Sequence, residues 1–126
     1  MTKDKVSHST KPPRDSKAAK LTRERLAPIV EGVPEDERGA AEALSDELVF
    51  MAGTMATLKQ FVADHGVVAV DDRTGAVKES PAVRSYNAMV PRYASICKQL
   101  CKMSNEQPAV DPLLEFINGE PDDDEA

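Results

Sequence analysis

The side chains in this sequence that could do chemistry are few and scattered. Cys97 and Cys101 stand one helical turn apart. That is poor disulfide geometry, and two thiols do not complete a tetrahedral zinc site. They read as small apolar residues at a helix contact in a reducing compartment. His8 and His65 lie far apart, in segments of different character. Asp71 and Asp72 are followed by Arg73-Thr74-Gly75, which makes them turn residues rather than an acid–base pair. The run Asp122-Asp123-Asp124 could hold a divalent ion loosely, without the fixed oxygen cage of a true site. Tyr86 and Tyr93 fall on a packing seam. There is no phosphate-binding Gly-rich loop, ligand cluster or nucleophile–base pair. The expectation is a protein with no catalytic residues, no cofactor and no metal, and therefore no enzyme.

Charge is more informative than reactivity. The chain has 126 residues and a formal net charge of −6, but the sign is unevenly distributed. Residues 1–25 carry Lys3, Lys5, Lys11, Arg14, Lys17, Lys20, Arg23 and Arg25 against three acids, while residues 120–125 carry five acids and no base. A basic arm can engage phosphate, and an acidic tail cannot. The alternative is that both ends are solvating tails. There is no Trp and little Phe or Tyr, so base-stacking platforms and aromatic ligand pockets are not expected. The start of the chain is polar and charged throughout, unlike a signal peptide. The uncharged run at residues 48–58 is half a membrane span. A soluble intracellular protein with no membrane role is expected.

The elements that must position these charges are helices. Ala41, Leu44, Leu48, Met51, Met55, Leu58, Val62 and His65 recur in steps of three and four, as do Ala82, Tyr86, Met89, Tyr93, Ile96, Leu100 and Met103. Such steps keep one stripe facing a partner helix and predict an antiparallel helical hairpin. Pro34, followed by three acids, should open the first long helix and Gly66 should close it; Ser80 and Pro81 start the second as N-cap and first residue. Pro91 lies inside that second helix. The insert at residues 67–78 fits a small β-hairpin with a Gly-containing turn, or a plain loop. Before the hairpin, a weak helix from Lys17 should end at Pro28 and Gly32. After it, Asp111-Pro112 opens a short helix carrying Leu113, Leu114, Phe116 and Ile117, which must dock on the body or on a partner.

This gives an all-α fold with three divisions: a flexible basic arm (1–25), a helical oligomerisation core (26–105), and a short C-terminal helix with an acidic tail (106–126). The first long helix is apolar nearly all round over residues 48–58, and one hairpin partner cannot bury all of it. Val49, Phe50, Ala52, Gly53 and Ala56, assisted by Val90, Ala94 and Cys97, are therefore expected to form an interface with further copies of the chain.

As an ordered set, several stretches resemble the small subunit of phage terminase. They are Val33-Pro-Glu-Asp-Glu-Arg-Gly-Ala-Ala-Glu42, Glu47-Leu-Val-Phe-Met-Ala-Gly-Thr-Met-Ala-Thr-Leu58, His65-Gly-Val-Val68, Lys78-Glu-Ser-Pro-Ala-Val-Arg-Ser-Tyr-Asn87, Arg92-Tyr-Ala-Ser-Ile-Cys-Lys-Gln-Leu100 and Asp111-Pro-Leu-Leu-Glu-Phe-Ile117. The resemblance spans residues 33–119. It implies a non-enzymatic protein of the host cell cytoplasm that assembles into an oligomeric ring. Such a protein recognises double-stranded viral DNA and presents it to the large terminase subunit, the ATPase and nuclease of genome packaging. In this reading the eight Lys and Arg of residues 1–25 are the DNA-binding candidates, and Leu113, Leu114, Phe116 and Ile117 face the large subunit. Many members carry an N-terminal helix-turn-helix; residues 17–33 are too short for one. The competing reading is a helical protein–protein adaptor or regulator without DNA binding.

Overall fold

The computed structural model describes residues 16–105 and 112–118. The chain forms α1 (Lys17–Glu31), a 3-10 turn (Glu35–Glu37), α2 (Arg38–His65), β1 (Val68–Val70), β2 (Val77–Glu79), α3 (Pro81–Met103) and α4 (Pro112–Asn118). The fold is mostly helical, with one small antiparallel sheet.

The signals at the ends of the long helices act as expected. Gly66 leaves α2 with φ of 92°, a conformation that costs a residue without Cβ little. The Ser80 hydroxyl accepts from the Ala82 amide at 3.2 Å, and Pro81 needs no donor at the first helical position. Between them, Val68 pairs with Glu79, Ala69 with Lys78 and Val70 with Val77, so the insert is a β-hairpin. Its turn is held by the Asp71 carboxylate, which accepts from the Arg73 amide at 2.8 Å, and by Gly75 at φ 76°.

Two expectations about helix ends are corrected. Pro28 does not end α1, which continues to Glu31. The Pro28 ring faces solvent, where water can satisfy the carbonyl left without a donor, and buried Leu26, Ile29 and Val30 hold the helix on both sides of it. Pro34 opens a 3-10 turn, closed by the Glu37 amide donating to the Pro34 carbonyl at 2.9 Å, and α2 begins only at Arg38.

α2, 28 residues and about 42 Å long, is the middle element. It packs extensively on both α1 and α3, which barely meet each other. The core joins Leu26, Ile29 and Val33 to Leu48, Val49, Met51, Ala52 and Met55, and these to Tyr93, Cys97 and Leu100. The predicted hairpin seam is thus present, with Tyr86, Met89 and Ile96 packed at its margin. The expectation that a second copy must cover the other faces of α2 is corrected in part. α1 supplies much of that cover, leaving Val49 2%, Ala52 0% and, on α3, Cys97 3% exposed within one chain. The division drawn at 25/26 also falls inside α1, where Ala19 and Thr22 are already buried.

One corner ties three helices together. The Arg38 guanidinium donates to the carbonyls of Glu31 (3.1 Å) and Val33 (2.9 Å), and the Asn105 amide donates to that of Gly32 at 2.8 Å. At the other end of the molecule, residues 56–92 contribute one buried residue, Ser80. Leu26→Ala should cost about 2–5 kcal/mol, as for a fully buried leucine, measured by urea denaturation. A loss within the noise of the measurement would mean that α1 is not part of the core.

Candidate nucleic-acid and protein interfaces

Of the basic candidates, Lys3, Lys5, Lys11 and Arg14 lie outside the described residues. Lys17, Lys20, Arg23 and Arg25 are exposed on α1, whose opposite face (Ala19, Thr22, Leu26, Ile29, Val30) is buried. Lys17, Lys20 and Arg23 succeed one another in steps of three, a single ridge rising about 4.5 Å per step. Arg25 sits on the other flank, beside Tyr93. The helix begins at Ser16, whose hydroxyl accepts from the Ala19 amide at 3.0 Å. These four charges therefore stand on a rigid, packed element. Arg84, Arg92, Lys98 and Lys102 are also exposed, on α3. Arg84 lies 3.8 Å from Glu79 with both side chains in solvent, so their attraction is weak. Around the connection between α1 and α2 the charge is acidic: residues 31–47 hold seven acids and one base, Arg38, whose guanidinium is turned onto the Glu31 and Val33 carbonyls.

The expected oligomer-interface residues separate into two groups. Val49, Ala52, Gly53 and Cys97 are buried in the chain itself, whereas Phe50 is 51% exposed and Ala56, Val90 and Ala94 are half-buried. Phe50, Thr57 and Phe61 share the outer stripe of α2, and Phe61 is stacked on His65 with ring centroids 4.1 Å apart. Beyond them, Val67, Val68, Val70 and Val77 of the hairpin are each at least half exposed. Phe61 and these valines were not among the expected interface residues. The signal that could have found them is topological: a two-stranded hairpin at the end of two helices has no further element to cover it.

Of the expected partner-binding residues, Leu113 and Phe116 turn inward, while Leu114 (51%) and Ile117 (42%) face solvent. Phe116 meets the Tyr93 ring at 5.6 Å and has the Lys59 ammonium 5.3 Å from its centroid, a cation–π contact. α4 thus docks on the body with its inner face and offers its outer one.

Reactive groups do not converge. Among the described residues no three His, Cys, Asp or Glu approach one another as a metal site would require, and none of the helices is long and apolar enough to cross a membrane. Tyr93 is strongly perturbed. Burial pushes its phenol far above the usual value and the adjacent Cys97 thiol adds to the rise, while the Thr22 hydroxyl and Arg25 pull it back. Burial also raises Tyr86, to a lesser degree. No family model, curated protein or solved structure matches the chain.

The Tyr93 shift has a consequence for stability. The unfolded phenol loses its proton near 10.0, whereas the folded one keeps it to higher pH. Its contribution to stability is thus complete below about pH 10 and falls above it, by at most about 1.4 kcal/mol per pH unit. In Tyr93→Phe the urea midpoint should decline much less between neutral and strongly alkaline pH. Equal slopes in the two proteins would mean that Tyr93 is ionised as freely in the folded state as in the unfolded one.

Proposed function

We propose that this protein is a phage terminase small subunit, a non-enzymatic adaptor that binds double-stranded viral DNA and presents it to the large terminase subunit. The observation that carries the reading is the basic ridge of α1, continuous in sequence with Lys3, Lys5, Lys11 and Arg14. It supplies phosphate contacts with no aromatic residues for base stacking, which suits binding by backbone charge rather than by base identity. The order of sequence features from Val33 to Gly119 adds the family.

Assembly into a homo-oligomeric ring belongs to the same proposal. Its support is the set of large apolar side chains that one chain leaves exposed, Phe50, Phe61 and the hairpin valines. A ring would also multiply weak basic surfaces along one duplex. The outer residues of α4, Leu114 and Ile117, are assigned to the large subunit. A DNA-independent helical adaptor is the second reading, favoured by that same apolar surface.

Because Ala19 and Thr22 are buried, deleting residues 1–25 would damage the core. The informative variants remove residues 1–15, or carry Lys17→Ala, Lys20→Ala and Arg23→Ala together. Both should weaken binding to long duplex DNA in mobility-shift assays. Each should also flatten the dependence of affinity on salt, by roughly one unit of log–log slope for every phosphate no longer neutralised. Unchanged affinity and slope in both variants would move the DNA site elsewhere, with Arg84, Arg92, Lys98 and Lys102 on α3 next in line. No binding by the unaltered chain would favour the adaptor without DNA. Native mass spectrometry of the full chain reads the ring directly, and a monomer at all concentrations would refute it.

A further inference from the structure

The outer faces of α2 and α3 complement each other in charge, side-chain size and length. Along α2, Asp46, Phe50, Thr57, Phe61 and Asp64 follow one another in steps of three, four or seven, with Glu47 beside them, and all are exposed. The bases of this helix are turned elsewhere: Arg38 donates to the Glu31 and Val33 carbonyls, and Lys59 lies over the Phe116 ring. Asp64 accepts a hydrogen bond from Gln60 at 3.0 Å, which leaves its charge in place. Along α3, Arg84, Ala88, Pro91, Ser95, Lys98 and Lys102 form an exposed stripe in steps of three and four, and the helix has no acid from Pro81 to Met103. Each stripe is charged at its ends and uncharged between them. Asp46 and Asp64 are eighteen residues apart, and so are Arg84 and Lys102, about 27 Å in either helix. Laid antiparallel, the stripes set Asp46 and Glu47 against Lys102 and Lys98, and Asp64 against Arg84. The large rings of Phe50 and Phe61 then meet the small side chains of Ser95, Pro91 and Ala88. Within the chain, α2 and α3 pack through their inner faces, so the outer ones can meet only between copies.

We propose that the outer face of α2 docks antiparallel on the outer face of α3 in a second copy of the chain. The inference rests on the reading of the protein as a homo-oligomer and names the surfaces that join it. Two α2 faces brought together would oppose acid to acid, and two α3 faces base to base, so a two-fold contact through either face is repelled. Head-to-tail contact is the arrangement left, and every copy then offers one α2 face and one α3 face to its neighbours. Such heterologous contacts propagate, and they close into a ring when the rotation between copies permits. The phenylalanines supply the centre of the contact. The charges at its two ends form a solvated rim that sets register and partner more than strength. A duplex could neutralise the bases of α3 but would leave Phe50 and Phe61 uncovered, whereas a second copy satisfies both faces. Arg84 lies 3.8 Å from Glu79 with both side chains in solvent, a weak pair that can be exchanged for Asp64 of the next copy.

The test uses two full-length variants altered at exposed positions, which spares the core. D46K, E47K and D64K together reverse the α2 face, and R84E, K98E and K102E together reverse the α3 face. Circular dichroism checks that each is folded, and sedimentation velocity with native mass spectrometry follows assembly across a salt series. The unaltered chain should be oligomeric. Each variant alone should have its dissociation constant raised at least about tenfold, with the difference narrowing as salt rises. Mixed in equal amounts, the two variants should assemble again, because the reversed faces match each other and the untouched faces still do. A monomeric unaltered chain would overturn both the ring and this contact. Variants that assemble as tightly as the unaltered chain would overturn the contact alone, and so would a mixture of folded variants that stays dissociated. A second readout needs no substitution: carbodiimide cross-linking of mixed isotope-labelled and unlabelled protein should join Asp46 or Glu47 to Lys98 or Lys102 of another copy. Products confined to single chains would overturn the contact. An α3 variant that keeps its oligomer but loses duplex binding would assign that face to nucleic acid instead.

Discussion

Burial of the middle of α2 is the constraint on which the rest of the structure depends. Between Leu48 and Met55 the helix carries apolar or small residues on nearly every face, and a helix of this kind must find cover on more than one side. α3 returns through the hairpin to cover one flank, and α1 covers another although its own sequence is strongly charged. Each covering helix keeps its polar side in water as a consequence. The basic ridge of α1 is the solvent-facing side of a helix held in place by Ala19, Leu26 and Ile29.

The legible parts of the fold were those with strong local chemistry. Gly66, Ser80 and Pro81 mark helix ends through backbone geometry and capping, which depend little on distant residues. The two heptad-like seams were legible because their apolar residues are large. α1 was harder to read: its buried stripe begins with Ala19 and Thr22, which are small or polar and give little periodic signal among so many charges. Pro28 added a false stop, since its ring faces solvent and water can satisfy the carbonyl left without a donor, whereas Gly32 does close the helix. At the candidate site, the identities of the basic residues were readable. The placement of Lys17, Lys20, Arg23 and Arg25 on a packed helix rather than an arm was not.

The faces of α2 show why apolarity in a sequence does not name its partner. Val49 and Ala52 are as apolar as an interface between subunits would need, yet they are consumed within one chain. Phe50, next to Val49 in the chain, points the other way. A rotation of about 100° per residue separates core from exposed surface here, and the position of α1 decides which is which. The surface that remains lies on the outer stripe of α2 and on the hairpin.

The corner where Arg38 and Asn105 bind the carbonyls of the α1–α2 connection has a consequence for motion. Three helix ends are fastened there, so breaking that corner means opening the whole core. At the far end of the molecule, the last turns of α2 lean on a single neighbour and on an uncovered hairpin. Local opening costs least where buried contacts are fewest. One continuous helix therefore runs from an end fastened to its neighbours to an end with few buried contacts. A partner that covers the sparsely packed end would stiffen it without disturbing the anchored one.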